Sequence, residues 1–199
     1  MKANIVIAGV GGQGTVLAAR LVARAAMAAR LSVRTSETIG MAQRGGSVVS
    51  HVRIADTAIA SPLMPPGSAD LLLGFEPGEA VRCLPFLKPG GAVVVNAHTV
   101  APVAAALSQT EYSGPAMIDY LRQCGGRTIV VDGDAICAEI GSPKVLNVAL
   151  IGAAAAAGAI GLSLEQIEDA LRKSLRPKLV DMNVKALRAG ARASAMGNP

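Results

Sequence analysis

The order of apolar and polar residues predicts that the chain opens with a strand, a glycine turn and a helix. Residues 4–10 (NIVIAGV) form a continuous apolar run that ends in glycine, which is typical of a strand buried on both faces of a parallel sheet. In the segment that follows the glycines, Leu17 and Leu21 recur at helical spacing, with Arg20 and Arg24 on another face. We therefore predict a strand-to-helix unit at the start of the chain.

Further apolar runs bounded by glycine, proline and small polar residues predict five more strands. They lie at 32–36, 47–55, 69–75, 92–96 and 127–133. Helical patterns at 77–88 and 115–126 fall between the later strands, and this β, α, β order implies parallel neighbours joined by crossover helices. We therefore predict an α/β fold with a single doubly wound, mostly parallel sheet and flanking helices, similar to a Rossmann fold.

The last third of the chain is predicted to be helical. Ser163 and Gln166 have the spacing of a capping box, and a final amphipathic segment ends at Gly190. The Ala-rich and Gly-rich stretch 145–162 is nearly long enough to span a membrane, but we interpret it as a buried helix. The expected organisation is one domain over 1–190 and a frayed tail over 191–199.

Composition narrows the possible partners. The chain of 199 residues is 51% apolar but contains only two Phe, two Tyr and no Trp, so it has few rings for stacking on bases, and nucleic acid is disfavoured. The net charge is +5, and seven Lys or Arg but one acid lie between Arg172 and Arg192, which favours an anionic partner. The N-terminus has no secretory cleavage pattern, so we expect a cytoplasmic protein without a membrane span.

Cysteines and histidines provide no catalytic or metal-binding pattern. Cys83, Cys124 and Cys137 form no Cys-x-x-Cys pair, so no recognisable iron–sulfur or structural zinc motif is present and we interpret them as packed or idle thiols. His51 and His98 lack a Ser, Cys or carboxylate at a spacing that indicates a triad, and we expect hydrogen-bonded structural histidines. No residue is therefore assigned a catalytic role.

A glycine fingerprint lies between the first strand and the first helix. Gly9 would allow a tight turn, Gly11 would let the backbone approach an anion, and Gly14 would permit close helix packing. The full set of candidate ligand-binding residues in this loop is Gly9, Gly11, Gly12, Gln13, Gly14 and Thr15. The same glycines also suit a strand-to-helix turn that holds no ligand, and both readings remain open.

The second strand does not end as a nicotinamide-binding domain requires. A carboxylate for the ribose hydroxyls is expected about 20 residues after the glycine loop. The chain has Arg34 there, and Glu37 comes later, where we place it in the next loop. Arg34 could instead meet a ribose phosphate, as in NADP or coenzyme A, so the NAD interpretation is weakened.

A second glycine segment follows the second strand. Arg44, Gly45 and Gly46 combine a fork of hydrogen-bond donors with an exposed backbone, which can clamp a phosphate or a carboxylate. A surface arginine on a glycine turn is the alternative. The position of this loop between two strands at the carboxyl edge of the sheet favours binding.

Five segments carry a resemblance that covers essentially the whole chain. They are GVGGQGTVLAARLVARAA, SETIGMAQRGGSVVSHVRI, ADLLLGFEPGEAVRCLPFLKPGGAVVVN, NVALIGAAAAAG and LRPKLVDMNVKALRAG. In this order they resemble the gamma-type subunits of the 2-oxoacid:ferredoxin oxidoreductases, and within that family the small subunits that act on indolepyruvate. The SETIGMAQRGG segment is the most specific of the five.

The resemblance implies one half of an enzyme. Such complexes convert an aryl 2-oxoacid, coenzyme A and oxidised ferredoxin to acyl-CoA, carbon dioxide and reduced ferredoxin, using thiamine diphosphate and iron–sulfur clusters. It implies that a large alpha-type subunit carries both cofactors and that ferredoxin meets the complex. The two glycine segments would hold coenzyme A or close over the partner's cofactor site.

Two other functions remain as alternatives, a free-standing NAD(P)-binding oxidoreductase and a non-enzymatic assembly module. We expect the isolated chain to be inactive, and a homodimer is plausible when the partner is missing.

Overall fold

A computed structural model describes residues 2–37, 45–101, 112–124 and 126–196. Its strands are β1 (Lys2–Val10), β2 (Ser32–Glu37), β3 (Ser47–Ala55), β4 (Ala69–Gly74), β5 (Leu87–Asn96) and β6 (Arg127–Val131). Its α-helices are α1 (Thr15–Ala28), α2 (Pro77–Cys83), α3 (Gly114–Cys124), α4 (Gly133–Ile140), α5 (Leu146–Ala156), α6 (Leu164–Ser174) and α7 (Pro177–Met196). Short 3-10 turns cover Leu84–Phe86 and Pro143–Val145.

The six strands form one sheet in the order β2-β3-β1-β4-β5-β6. Strands β1, β4, β5 and β6 pair in parallel, while β3 pairs antiparallel with both β1 and β2. The predicted mostly parallel α/β sheet is confirmed. Strand β3 is the exception, because it returns directly from β2 as an antiparallel partner and needs no crossover helix.

Alternating residues of the central strands feed two cores, one on each face of the sheet. Ile5 and Ile7 of β1 enter the larger core with α1, α4, α5, α6 and α7, while Val6 faces the smaller core. The smaller core is closed by α2 and α3 through residues such as Cys83 and Leu121. Helices on both faces are the arrangement that the continuous apolar runs predicted.

Helices α5 and α7 pack with their backbones in close contact. A Cβ atom on Gly152 would lie 2.0 Å from the carbonyl oxygen of Leu187, and one on Gly190 would lie 1.8 Å from that of Ala149. No side chain larger than hydrogen fits at either position, so these glycines set the distance between the two helices. The predicted helix end at Gly190 is therefore wrong, because that residue is a packing contact inside α7.

The helical third confirms most of the other predictions and differs from one. The Ser163–Gln166 capping box is formed in both directions, and α5 is buried within the predicted stretch 145–162. No helix in the described ranges is both long enough and apolar enough to cross a membrane. Residues 191–196, expected in a frayed tail, continue α7, while 197–199 lie outside the described residues.

Candidate functional site

The glycine loop joins β1 to α1 at the carboxyl edge of the sheet, and its glycines are required by close packing and by backbone conformation. A Cβ atom on Gly9 would lie 2.8 Å from both Gln13 Oε1 and Phe75 Cβ. Gly14 precedes α1 in a left-handed conformation, with φ of 91°. The strand-to-helix turn therefore accounts for two of the three fingerprint glycines without a ligand.

The two polar side chains of the loop are used inside the fold. Gln13 Oε1 accepts a hydrogen bond from the Val10 N–H at 2.8 Å, and Gln13 Nε2 donates to the carbonyl of Phe75 at 3.3 Å. Thr15 is only 3% exposed. Gln13 thus ties the glycine loop to the end of β4, and its predicted contact with a ligand would compete with these bonds.

The second glycine segment lies directly on the first. The Gly11 N–H donates to the Gly46 carbonyl at 2.7 Å, and the Gly45 N–H donates to the Gly11 carbonyl at 3.2 Å. Gly46 therefore occupies the position close to the Gly11 backbone where the sequence predicted an anion. Gly12, with φ of 105°, is exposed beside this pairing. Arg44 lies outside the described residues.

A buried carboxylate anchors the neighbouring helix. Glu76 is fully buried and caps α2, where its Oε2 accepts hydrogen bonds from the Glu79 N–H and the Tyr112 hydroxyl, each at 2.9 Å. Burial, together with the hydrogen bond to this carboxylate, raises the pKa of Tyr112. A Cβ atom on Gly78 would lie within 2 Å of the Tyr112 hydroxyl oxygen, so only glycine leaves room for this ring.

Three polar side chains line the mouth of a cavity beside the paired glycine segments. Glu79 Oε2 accepts from the Ser47 hydroxyl at 2.6 Å and from Arg82 Nη2 at 2.6 Å. The side chain of Arg82 is 55% exposed. Glu79 therefore orients the guanidinium of Arg82, and the N–H groups of Arg82 that Glu79 does not bind can reach a ligand.

The cavity has a volume of about 220 Å³ and lies at the carboxyl edge of the sheet, beyond the ends of β1 and β5. Its walls are Val10, Gly45, Gly46, Ser47, Glu79, Arg82, Val100 and Ala101. These residues can bind an anion or a polar chain through hydrogen bonds. Among the described wall residues, the Ser47 hydroxyl already donates to Glu79, and no histidine, cysteine or lysine is present.

Sequence reasoning identified the two glycine segments but missed the acidic and basic residues of α2. Glu76-Pro77-Gly78-Glu79 has an acidic N-cap and Pro at the first helical position, so the pattern marks a helix start. The hydroxyl of Tyr112 reaches Glu76 across 36 residues of chain. No local pattern marks that partner, because the contact depends on the tertiary fold.

The order of the strands separates the glycine loop from Glu37. This residue ends β2, where it pairs with Ser50, so its predicted place inside the next loop is wrong. Strand β3 lies between β1 and β2. Because neighbouring strands are about 4.8 Å apart, Glu37 is roughly 10 Å to the side of β1. A carboxylate so far from β1 is poorly placed to bind the ribose of a dinucleotide held by the loop.

The residues outside the cavity have structural partners. His51 Nδ1 accepts from the Met64 N–H at 3.1 Å, and burial lowers its pKa. His98 Nδ1 lies 2.6 Å from Asp134 Oδ2. Cys83 is packed in the smaller core, and burial raises its pKa to about 11. The predicted structural histidines and the packed thiol at Cys83 are confirmed.

Comparison with known proteins places the chain in a family. The family model described as pyruvate ferredoxin/flavodoxin oxidoreductase matches residues 4–193. The chain belongs to this family. It is 39% identical over 200 residues to the indolepyruvate oxidoreductase subunit IorB of Archaeoglobus fulgidus, an alignment covering 100% of this chain and 98% of that protein. The chain is thus a relative of oxidoreductase subunits over its whole length.

Two solved structures share the fold. The gamma subunit of a keto/oxoacid ferredoxin oxidoreductase from Geobacter sulfurreducens superposes with a TM-score of 0.71 at 24% identity, covering 98% of this chain and 99% of that one. The 2-oxoglutarate:ferredoxin oxidoreductase of Magnetococcus marinus superposes with a TM-score of 0.75 at 18% identity, covering 98% of this chain but 31% of that one. In that longer chain the same fold is one part of a larger protein.

Proposed function

We propose that this chain is the small subunit of an aryl 2-oxoacid:ferredoxin oxidoreductase that acts on indolepyruvate. The support is the full-length relationship to indolepyruvate oxidoreductase subunits at 39% identity. In the proposed reaction the complex converts the 2-oxoacid and coenzyme A to acyl-CoA and carbon dioxide, and two electrons pass to ferredoxin. The complex works in the cytoplasm.

The large partner subunit carries the redox chemistry in this proposal. Thiamine diphosphate there supplies the carbanion chemistry, and iron–sulfur clusters there accept the electrons. Within the described ranges of this chain, no group of three or more His, Cys, Asp or Glu side chains could hold a metal ion. We therefore assign the iron–sulfur clusters to the partner subunit and not to the described ranges of this chain.

The contribution of this chain is the carboxyl-edge cavity. The observation that supports this proposal is the pairing of Gly11 with Gly45 and Gly46, because it holds the second glycine segment in the cavity wall with Val10 and Arg82. A cavity of about 220 Å³ can hold only one part of coenzyme A, and the phosphates of that molecule suit guanidinium donors such as Arg82. The Magnetococcus marinus enzyme, whose chain includes this fold, is described with coenzyme A and succinyl-CoA bound.

A free-standing NAD(P)-binding oxidoreductase fits the geometry less well. Strand β3 separates the ribose-reading position of β2 from the glycine loop, and the Gly11 N–H is already bonded to Gly46. An assembly module without a ligand remains the second candidate. Its support is the internal use of Gln13 and Thr15, which leaves the loop complete without a ligand.

Reconstitution with the large subunit tests the function. We expect indolepyruvate-dependent and coenzyme A-dependent reduction of ferredoxin by the two chains together and no turnover by either alone. If the large subunit were fully active without this chain, the chain would not be a required part of the enzyme. Activity of the isolated chain with NAD or NADP would establish the oxidoreductase alternative.

Calorimetric titration of the reconstituted complex with coenzyme A, NAD and NADP tests the binding role. Arg44→Ala and Arg82→Gln should each weaken coenzyme A binding by about tenfold, the usual effect of losing one charge-assisted contact. Arg122→Gln is the matched control, because Arg122 also pairs with an acid three residues earlier and is 58% exposed. Unchanged affinity in both the Arg44→Ala and the Arg82→Gln variants would favour the assembly module.

A further inference from the structure

A groove separate from the carboxyl-edge cavity opens between helices of the larger core. It has a volume of about 300 Å³, which is at the lower end of the range for small-molecule sites. Its apolar walls come from α1, α5, α6 and α7, through Leu17, Leu21, Val148, Leu171, Leu175, Leu179 and Met182. Leu17 is 60% exposed, so a large apolar surface faces solvent at the groove mouth.

Three cations surround this apolar surface. Arg20 and Arg24 lie one turn apart on α1, and Lys144 approaches from the 3-10 turn before α5. All three are exposed, and no described residue forms a salt bridge or a side-chain hydrogen bond with any of them. No acidic residue lines the groove. The groove thus combines an apolar floor with positive charge that the described chain does not neutralise.

Three cations of the helical third are paired within the fold. Arg172 and Arg188 both bind Glu168, at 2.7 Å and 3.0 Å, and Arg192 binds Glu139 at 3.4 Å. Other exposed cations, such as Lys173 and Lys185, have no salt bridge among the described residues but lie outside the groove. The three cations of the groove differ from these because they converge on an apolar surface, an arrangement that suits an amphipathic anion.

We propose that the groove binds an amphipathic monocarboxylate, with its apolar body between the leucines and its carboxylate between Arg20, Arg24 and Lys144. The apolar floor disfavours a polyphosphate, which needs donors along its length. The site is independent of the proposed coenzyme A cavity.

Heteronuclear NMR titration of the full chain with indole-3-acetate tests the proposal. A ligand of this size should bind with a Kd of about 1 mM or tighter, given ordinary affinity per atom. Shifts should concentrate on α1, the start of α5 and the junction of α6 with α7. The neutral analogue indole-3-acetamide should bind at least tenfold more weakly, because it carries no charge for the three cations.

Two variants separate this site from unspecific attraction. The double variant Arg20→Gln, Arg24→Gln should weaken binding of indole-3-acetate at least tenfold, and Leu179→Trp should abolish it by filling the groove. The double variant Lys173→Gln, Lys185→Gln is the control, since it removes the same charge from exposed positions outside the groove. It should bind as the unmodified chain does.

Other outcomes would overturn the proposal. One is non-saturable binding, and another is an equal loss of affinity in both double variants, since either would mean unspecific attraction. A third is self-association that Arg20→Gln, Arg24→Gln abolishes, because the groove would then be occupied by a second copy. The fourth outcome has two parts: indole-3-acetate no longer binds when the large subunit is added, and assembly of the two subunits depends on Arg20 and Arg24. The groove would then be a contact between subunits. None of these results bears on coenzyme A binding at Arg82, so the two proposals fail separately.

Discussion

The helical third and the carboxyl edge use the same residue type, glycine, for opposite purposes. In α5 and α7, Gly152 and Gly190 let two backbones touch, so the packing has no free space. At the carboxyl edge, Gly45 and Gly46 let one loop pair with another beside an open cavity. The contact between α5 and α7 therefore contributes stability, whereas the carboxyl edge contributes a surface for binding. Substitutions can test whether the two regions have these separate roles.

The largest effect is expected from Gly190→Leu. The added side chain would meet the Ala149 carbonyl, and backbone cannot yield as a side chain can. We expect a loss of about 3 kcal/mol or more in the free energy of unfolding, at or above the usual cost of overpacking a core. Urea denaturation measures it, with Ala195→Leu at an exposed position of the same helix as the control. Equal stability of the two variants would contradict the packing role.

Glu76→Gln should have the next largest effect, and it lies at the carboxyl edge. Both carboxylate oxygens of Glu76 accept hydrogen bonds, Oε2 from the Glu79 N–H and the Tyr112 hydroxyl and Oε1 from the Val100 N–H, so in either orientation the amide nitrogen of Gln would face a donor. The expected loss is about 2 kcal/mol, the cost of leaving buried polar groups unsatisfied. Tyr112→Phe removes one of the same bonds and should cost about 1 kcal/mol. If urea denaturation shows that Glu76→Gln lowers the free energy of unfolding by as much as Gly190→Leu or more, the carboxyl edge is itself a stabilising region. The proposed difference between the two regions would then be wrong.

Ser163→Ala tests a local contribution within the helical third. Ser163 Oγ accepts from the Gln166 N–H at 3.2 Å, and the Gln166 side chain accepts from the Ser163 N–H at 2.8 Å. Losing this cap should cost about 1 kcal/mol. Ser163→Asp should retain most of the stability in thermal unfolding, because Asp also caps helices. A cost as large as that of Gly190→Leu would mean that α6 depends on its cap more than on its packing.

The smallest effect is expected from Glu168→Gln, and it depends on pH. Arg172 and Arg188 lower the pKa of Glu168 in the folded state. The stabilisation is therefore present above the unfolded pKa of about 4.3 and is lost as pH falls through the lower folded value. We expect the variant to be less stable at pH 7 by at most about 1 kcal/mol. Denaturation curves of both proteins should converge in acid, and a difference that grows there would contradict the ion pairs.

Much of the fold could be predicted from patterns that lie within short segments. Strand β3 starts and ends at the predicted residues, and the capping box of α6 depends on four consecutive residues. The apolar pattern of β3 is the same in either direction and did not predict its antiparallel pairing. The short link between β2 and β3 is the signal that could have done so, because a parallel pair needs a longer crossover connection. The end of α7 was predicted wrongly, because the sequence does not distinguish a glycine at a helix end from a glycine at a close helix contact.

The candidate site could be predicted only in part, for a related reason. Both glycine segments were identifiable, because turn residues after a buried strand form a local signal. Glu79 and Arg82 were missed because their place in the cavity depends on Ser47, which donates to Glu79 from 32 residues away along the chain. The bond from Gly11 to Gly46 likewise depends on strand order, which decides which loops meet at the edge of the sheet.

The position of β1 has a consequence for how the protein is made. Strand β1 lies at the centre of the sheet, and both of its neighbours, β3 and β4, are synthesised after it. The helices that cover its Ile5 and Ile7 face include α5, α6 and α7, which are synthesised later still. At about 5–20 residues per second, the nascent chain carries this apolar surface uncovered for many seconds. A chain that stops before residue 146 would keep that surface bare and be a target for chaperones and proteases.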